Sequence, residues 1–253
     1  MQIVASPGQR AQEDAEGWRR DGVLGAHACR GPGYGARVWA LMEEAWAAGH
    51  GVVAGVDEAG RGPLAGPVVA AAVVLPGPGL PGHAAAREAL EGLRDSKKLS
   101  PAQRGRYADL IRLHACAWAV VGRPARAIDA EGILVCNFAA MRVALGEVAA
   151  QGWPVDLVHV DGKLAIRGWG GPQRPLVKGD DRCLAIAAAS VLAKTCRDDV
   201  MVRLDEVWPG YGLGRHAGYG TAAHMEAIRR LGPTPVHRHS FGGVRVQEEL
   251  GLG

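Results

Sequence analysis

The chain has 253 residues, 48% of them hydrophobic and 22% charged, with a net charge of +3; this describes a globular protein and does not by itself indicate a nucleic-acid partner. Five widely spaced cysteines without a Cys-x-x-Cys pair exclude a disulfide framework and a cysteine-based zinc site. No apolar run reaches the roughly 18 residues of a membrane span, so we expect a cytoplasmic protein that does not contact membranes.

The order of apolar segments predicts the fold class. Residues 1–36 lack a periodic apolar pattern, which predicts a disordered N-terminal extension ahead of a single domain over residues 37–253. Helices are predicted at residues 38–48, 84–93, 101–113, 128–150, 183–207 and 222–231. Strands are predicted at residues 52–56, 68–75, 115–121 and 155–160. Because the strands first cluster and then alternate with helices, we expect an α/β fold with a mixed sheet flanked by helices, followed from about residue 208 by a helical and loop extension.

Two adjacent carboxylates, Asp57 and Glu58, follow the first predicted strand inside the run GVDEAGRGPLAGP at residues 55–67. Successive side chains of an extended segment point to opposite faces, so Asp57 and Glu58 leave the strand on different sides. Glycines on both sides of Arg61 let the backbone approach a ligand and leave the guanidinium free for an anion. The run indicates a metal-bound phosphate site, although the same residue types also form ordinary strand-terminating turns.

Asp161 and Asp180 extend this pattern. Asp161 ends the strand predicted at 155–160, where it could also be part of a simple turn. Asp180 precedes the helix predicted at 183–207, so it could cap that helix, bind a metal, or do both. Asp198 lies 198 minus 180, or 18, residues further on, which in a continuous helix is about 27 Å away. Asp180 and Asp198 therefore cannot share one metal pair, and we expect Asp198 to be structural or ion-paired.

Several short segments follow this first run in a fixed order. They are Asp95-Ser96-Lys97-Lys98-Leu99-Ser100, Ile128-Asp129-Ala130, Val160-Asp161-Gly162, Lys178-Gly179-Asp180, residues 187–194, His216-Ala217-Gly218-Tyr219-Gly220-Thr221 and Arg238-His239-Ser240-Phe241. Together with residues 55–67 they resemble the type 2 ribonucleases H, the ribonuclease HII family. The resemblance runs from about residue 51 nearly to the C-terminus and implies a ribonuclease H-like fold.

The resemblance implies an endonuclease that hydrolyses the RNA strand of RNA–DNA hybrids and cuts 5′ to ribonucleotides embedded in duplex DNA, as in ribonucleotide excision repair. It implies 3′-hydroxyl and 5′-phosphate products of a two-metal-ion reaction. The catalytic and metal-binding residues that it implies are Asp57, Glu58, Asp161 and Asp180. Ligands that are all oxygen atoms favour Mg²⁺ or Mn²⁺ over zinc. Since no oligomerisation segment is evident, we expect a monomer.

Substrate contacts are also implied by the resemblance. It assigns Gly60, Arg61 and Gly62 to sensing the ribonucleotide, and Tyr219 to stacking on the sugar of the next, deoxy residue. Reading a 2′-hydroxyl requires donors and acceptors that approach the sugar closely, which a glycine-flanked backbone permits. The residues expected to contact phosphate are Ser96, Lys97 and Lys98, with Lys178 and Lys194 as further candidates.

Some positions depart from the pattern or have no assigned role. Ala217 occupies a position where the family often has a basic residue, so one phosphate contact is in doubt. His216, His224, His237 and His239 lie close to the C-terminal motifs, and the sequence does not say whether any of them moves a proton.

Three other readings remain open from the residues alone. A nucleotide-binding α/β protein would use residues 55–67 as a phosphate loop, but Gly60, Gly62 and Gly66 miss the Gly-x-Gly-x-x-Gly spacing. A hybrid-binding protein without catalysis would not need several carboxylates, which repel phosphate. A resolvase-like or transposase-like nuclease of the same fold class is the closest chemical alternative.

Overall fold

The computed structural model describes residues 3–5 and 34–244. In this part of the chain the strands are β1 (Ile3–Ala5), β2 (Val53–Ala59), β3 (Val68–Val74), β4 (Ala117–Arg123), β5 (Leu157–Asp161) and β6 (Gln173–Leu176). The helices are α1 (Tyr34–Ala47), α2 (His83–Ala89), α3 (Pro101–His114), α4 (Ala125–Glu131), α5 (Ile133–Ala150), α6 (Leu184–Val207), α7 (Leu213–His216) and α8 (Ala222–Leu231).

The strands form one mixed sheet in the order β1-β4-β3-β2-β5-β6. Strand β3 is antiparallel to both β2 and β4. Strands β2, β5 and β6 are parallel, so their C-terminal ends meet at the same edge of the sheet. The architecture confirms the predicted α/β fold with helices on both faces of a mixed sheet.

The two faces of the sheet are covered by different helices. On one face, Val69, Ala71 and Val73 of β3 pack in a core with the alanine-rich first half of α6. On the other face, the alternate residues of β3 pack against α5. The helix α6 approaches β2 closely, because a Cβ atom added at Gly55 would lie 2.1 Å from the carbonyl carbon of Ala185. Only glycine at this position lets the helix lie directly over the strand.

Helix α5 is long and apolar enough to cross a bilayer by length and composition. It packs against β3 and β4 instead, with Met141, Leu145 and Val148 buried in the core. Its apolar character is explained by this position against the sheet.

Three element boundaries differ from the expectations. Strand β2 continues through Asp57 and Glu58 to Ala59, so these carboxylates belong to the strand rather than to a following turn. The helix expected over 128–150 is two helices, since Gly132 adopts φ 87° between α4 and α5. Strand β6 was not predicted, because its sequence Gln-Arg-Pro-Leu lacks an apolar alternation. It pairs only with β5, at the edge of the sheet.

The N-terminal expectation is addressed only in part by the structure. Residues 3–5 form strand β1, which pairs with β4, and α1 begins at Tyr34. The remainder of the extension expected over residues 1–36, that is residues 1–2 and 6–33, lies outside the described residues.

The C-terminal extension packs on the end of the sheet where β2 leads into β3. A small apolar core joins Leu64 and Ala65 to Met201, Leu213 and Ile228. The extension thus contacts the segment that contains the glycines around Arg61.

Candidate active site

Asp57 and Asp161 lie next to each other at the C-terminal ends of two parallel strands. Val56 of β2 pairs with Val160 of β5, and the two aspartates are the next residues of these strands. Asp57 is only 6% exposed, and its Oδ1 accepts a hydrogen bond from the backbone N–H of Glu58 at 2.7 Å. Parallel pairing therefore brings together two carboxylates that are more than 100 residues apart in sequence.

The side chain of Glu58 lies on the face of the sheet opposite to that of Asp57. Its Oε1 pairs with Arg61 Nε at 2.9 Å, and its Oε2 accepts a hydrogen bond from Asn137 Nδ2 at 3.3 Å. Asn137 is buried in α5 and was not identified from the sequence. A single amide within the apolar segment ILVCNFAAM is the signal that could have indicated it, because buried polar side chains normally have a partner.

Asp180 lies in a short 3-10 helix, Gly179–Asp181, just before α6. It does not cap α6, because the N-cap residue is Cys183, which makes no side-chain cap bond. The backbone N–H of Gly179 donates to Asp161 Oδ1 at 2.8 Å, which ties this turn to the end of β5. A Cβ at Gly179 would lie 2.6 Å from Ile186 Cδ1 and 3.2 Å from Asp161 Oδ1, so glycine permits this close approach.

The carboxylates influence one another electrostatically. Burial raises the pKa of Asp57 well above its ordinary value, and the charges of Glu58, Asp161 and Asp180 raise it further. Burial also raises the pKa of Glu58. For Asp180, burial and then the charge of Asp95 raise the pKa from 3.8 to about 6. The negative charge of these carboxylates therefore exceeds the positive charge that Arg61 and Lys97 bring to the site.

Lys97 is the lysine with the strongest electrostatic connection to these carboxylates. Burial acts to lower the pKa of Lys97, but Asp95, Asp57, Asp180 and Asp161 together raise it above its ordinary value. Its ammonium group therefore lies within the electric field of the acidic cluster, the name used here for Asp57, Glu58, Asp161 and Asp180 together.

The two neighbours of Lys97 in the expected phosphate-contact segment are placed differently. Lys98 forms an ion pair with Asp181, next to Asp180. Ser96 is buried, and its hydroxyl accepts a hydrogen bond from Ser190 Oγ at 2.7 Å. The Ser96 side chain thus anchors this segment to α6 and is not at the surface, where a phosphate contact was expected.

Two buried arginines donate hydrogen bonds to the backbone carbonyl oxygens of residues 60–67, a segment here called the glycine loop. Arg238 donates from Nε to Gly66 O at 3.0 Å, from Nη1 to Arg61 O at 3.0 Å and from Nη2 to Gly60 O at 2.6 Å. Arg197 donates from Nε to Pro67 O at 3.0 Å and from Nη2 to Ala65 O at 3.1 Å.

Glycine is required at position 60 for two reasons. Its φ of 92° is rarely adopted by other residues, and a Cβ there would lie 2.0 Å from Arg197 Nε. The glycine loop leads into strand β3 and not into a helix, so the phosphate-loop alternative is wrong.

Tyr219 lies beside the glycine loop. A Cβ added at Gly62 would be 3.9 Å from Tyr219 Cε1, and the tyrosine is 48% exposed. The backbone N–H of Leu64 donates to Gly218 O at 2.8 Å, which fixes the segment preceding Tyr219 to the loop. The structure therefore brings together the two elements expected to contact the ribonucleotide and its neighbour.

Asp198 is separate from the acidic cluster, as the helix spacing predicts. Its carboxylate pairs with Arg104 at 3.2 Å and with Lys194 at 2.6 Å. Lys194 is therefore engaged in a structural ion pair. Ala217, where the family often has a basic residue, adopts a left-handed conformation with φ 49°.

The donor set of the acidic cluster fits a hard divalent cation, because its four side chains offer only carboxylate oxygens and carry excess negative charge. Among the described residues, no three Asp, Glu, His or Cys side chains close around a single point as a formed metal site. The oxygens of Glu58 are instead held by Arg61 and Asn137. Each of these oxygens has one further lone pair, so the contacts with Arg61 and Asn137 do not prevent Glu58 from binding a cation.

Comparison with known proteins agrees with this architecture. A family model for ribonuclease HII matches residues 54–244. Ribonuclease HII of Roseiflexus castenholzii is 51% identical over 195 residues, which are 77% of this chain and 84% of that protein. Ribonuclease HII of Geobacter sulfurreducens is 46% identical over 215 residues, 85% of this chain and 92% of that protein.

Solved structures show the same fold. Ribonuclease H2 from Pyrococcus horikoshii OT3 superposes with a TM-score of 0.64 at 25% identity, covering 78% of this chain and 97% of that one. Bst-RNase HIII in complex with Mn²⁺ superposes with a TM-score of 0.57 at 17% identity, covering 92% and 78%. Since the family model spans most of the chain and relatives share about half of its residues, the chain belongs to the ribonuclease HII family and is a ribonuclease H, an endonuclease for RNA–DNA hybrids.

Proposed function

We propose that this chain cuts the RNA strand of RNA–DNA hybrids and also cuts 5′ to single ribonucleotides embedded in duplex DNA, leaving 3′-hydroxyl and 5′-phosphate ends. The observation that carries the proposal is the position of the acidic cluster beside the glycine loop and Tyr219. One group of residues can thus perform phosphodiester hydrolysis next to another that can read a ribose.

The acidic cluster is proposed as the metal-binding and catalytic set, formed by Asp57, Glu58, Asp161 and Asp180. Its all-oxygen donors favour Mg²⁺ or Mn²⁺. These four side chains would hold a pair of such ions, which would supply activation of water and stabilisation of the departing oxygen for phosphodiester hydrolysis. Burial and then the neighbouring carboxylates raise the pKa values of Asp57 and Asp180, and this supports the proposal because a bound cation relieves the repulsion among the carboxylates.

The glycine loop and Tyr219 are proposed to position the substrate. Gly60, Arg61 and Gly62 offer backbone groups that a sugar can approach, while the exposed Tyr219 ring stacks on the deoxyribose that follows the ribonucleotide. Arg61, whose side chain is 54% exposed, pairs with Glu58 and links the loop to the acidic cluster. Recognition is thereby directed to the RNA-to-DNA junction.

Two lysines are proposed to bind the backbone phosphates. Lys97 lies within the field of the carboxylates, and Lys98 is exposed beside Asp181. Ser96, with its side chain buried against Ser190, is proposed to hold this lysine segment in place.

The test is cleavage of duplex DNA that carries one ribonucleotide, in the presence of Mg²⁺, with the product ends identified. We expect a single nick 5′ to the ribonucleotide for the wild type and no cleavage for Asp57→Asn or Asp161→Asn, with substrate binding retained. Asp109→Asn is the matched control, since Asp109 is 80% exposed on α3. An Asp161→Asn protein with near wild-type turnover would contradict the assignment.

We further propose that the protein acts as a monomer in the cytoplasm and that residues 37–253 form its catalytic domain, with β1 and the start of α1 added from the N-terminal side and with a C-terminal part that binds substrate. Free thiols at Cys116, Cys136, Cys183 and Cys196 support a reducing compartment. Light scattering of the purified protein tests the monomer, and a dimer mass would contradict it.

A further inference from the structure

Three histidines of the C-terminal extension form a connected cluster directly behind Tyr219. His224 and His237 are fully buried, and their Nε2 atoms are 3.2 Å apart. His216 stacks on His224 with ring centroids 4.4 Å apart. These side chains do not take part in the acidic cluster, and no role for them follows from the proposed chemistry.

The partners of each ring fix where the protons lie. The Nδ1 of His224 is 2.9 Å from the carbonyl oxygen of Tyr219, so it carries a proton and donates. The Nδ1 of His237 accepts from the backbone N–H of Thr234 at 3.0 Å, so its proton is on Nε2. It follows that His237 donates from Nε2 to the unprotonated Nε2 of His224, and that both rings are neutral.

The pair connects Tyr219 to the glycine loop. Besides the bond from His224, the carbonyl of Tyr219 accepts from the backbone N–H of Thr221 at 2.8 Å. The backbone of His237 bridges to Ala65 in the glycine loop. The bonded rings thus join the segment that carries Tyr219 to the glycine loop, which the Tyr219 ring approaches at Gly62.

We propose that the hydrogen-bonded pair His224 and His237 is the positioning element that holds Tyr219 beside Gly62, and that its protonation in acid releases Tyr219. The inference rests on the proposed role of Tyr219 at the RNA-to-DNA junction. A proton added to Nε2 of His224 would face the N–H of His237, so the bonded pair would separate and the bond to the Tyr219 carbonyl would be strained or lost. A proton added to Nδ1 of His237 would face the N–H of Thr234 and be left with Thr234 Oγ1, at 2.8 Å, as its acceptor, so that ring would have to shift towards the hydroxyl.

The surroundings oppose protonation of both rings at neutral pH. Burial and the neighbouring His216 lower the pKa of His224. Burial, then His224 and His239, lower the pKa of His237 to about 4. The remaining titratable ring against the pair is Tyr211, whose centroid is 5.0 Å from that of His237. Because these folded-state pKa values lie below the usual 6.5, the arrangement is fully present above about pH 6.5 and is lost as the pH falls towards 4.

The experiment measures single-turnover cleavage by the full-length protein on two duplexes, one with a lone ribonucleotide in DNA and one with a continuous RNA strand paired with DNA. The ratio of the two rates is the readout, because titration of the acidic cluster affects both substrates alike. We expect the wild-type ratio to hold between pH 7.5 and pH 5 and to fall about twofold by pH 4, where about half of the His237 rings are protonated. With Tyr219→Ala the ratio should be low and independent of pH. A wild-type ratio that does not change with pH overturns the proposal without any histidine variant.

Two substitutions of His224 separate positioning from folding. His224→Asn keeps an amide donor near the place of Nδ1 and should retain most of the ratio at pH 7.5, with only the titration of His237 left to change it in acid. His224→Gln places its amide near Nε2, so it should lower the ratio about as far as Tyr219→Ala. The double variant Tyr219→Ala with His224→Gln should be no lower than Tyr219→Ala alone, because His224 acts through Tyr219.

The outcomes distinguish the inference from the function on which it rests. If Tyr219→Ala leaves the ratio unchanged, the proposed role of Tyr219 fails. If Tyr219→Ala lowers the ratio but His224→Gln does not, or if the two losses add, the positioning role of the histidine pair alone is wrong. His114→Asn is the control, since burial lowers the pKa of His114 on α3, outside the cluster, and this variant should keep the wild-type pH profile.

Discussion

Asp180→Asn should make the metal-free protein more stable while removing its activity. In the folded protein the pKa of Asp180 is raised from 3.8 to about 6, so at neutral pH its ionised form is held against burial and the charge of its neighbours. A rise of this size corresponds to about 3 kcal/mol. Asp180 keeps about 9% of its surface exposed, so water screens part of this charge and we expect about 1 to 2 kcal/mol of stabilisation. For a chain of this size that is roughly 3 to 6 °C in melting temperature.

The sign of the pH dependence follows from the same pKa. Near pH 4 the folded wild-type protein keeps the Asp180 proton, and the amide of the variant differs little from it. As the pH rises from about 4 to about 6, the unfolded chain releases this proton more readily than the folded one, so the wild type loses stability. The advantage of Asp180→Asn should therefore grow over this range and stay constant above pH 7.

The assay is thermal unfolding in EDTA between pH 4.5 and pH 8, repeated with Mg²⁺. Added Mg²⁺ should raise the melting temperature of the wild type more than that of the variant, because binding to the folded state stabilises it. Asp199→Asn, at an exposed position on α6, should change the melting temperature little at any pH. A variant that is no more stable than the wild type at pH 7.5, or a difference that does not vary with pH, would refute the electrostatic reasoning.

Tyr219→Ala should reduce single-turnover cleavage at a lone ribonucleotide at least about tenfold, because one aromatic stack contributes on the order of 1 to 3 kcal/mol. Cleavage of a continuous hybrid should be reduced less, and equal losses on the two substrates would mean that the ring only supports its loop. Arg238→Met should lower the unfolding free energy by about 2 to 4 kcal/mol in denaturant titrations, since three loop carbonyls lose a charged donor, and a loss under 1 kcal/mol would contradict this. Gly55→Ala should yield little folded protein, because the added methyl group meets the backbone of α6, and a wild-type melting temperature would show that the helix can move away. Substrate affinity should fall log-linearly with salt concentration in binding titrations, and an affinity independent of salt would exclude phosphate contacts.

The order of most elements could be predicted from the sequence because it depends on local patterns. Apolar segments marked β2, β3, β4 and β5, and the ribonuclease HII motifs marked the strand ends. Strand β6 could not be predicted, since a strand paired on one side at the sheet edge needs no apolar alternation. The pairing register that sets Asp57 beside Asp161 required the folded sheet.

The supporting contacts of the site could not be predicted for a different reason. Arg197 and Arg238 bind backbone carbonyl oxygens more than 100 residues away, and a backbone acceptor leaves no mark in the sequence. Asn137 donates from α5 to Glu58 on the adjoining face of the sheet, and this contact depends on tertiary packing alone. The motifs themselves could be recognised in the sequence, but the residues that hold them in place could not.

The two arginines beneath the glycine loop also shape the electric field of the site. Burial lowers the pKa of Arg238 only to about 9, so this guanidinium stays charged at neutral pH. Within the described residues neither Arg197 nor Arg238 has a carboxylate as a salt-bridge partner, and their guanidinium groups donate to backbone carbonyl oxygens. A positive charge in a weakly polarisable interior acts over a longer distance than one in water. An incoming phosphodiester is therefore attracted towards the glycine loop and repelled by the carboxylates beside it, and this gradient can orient the nucleic acid before any direct contact forms.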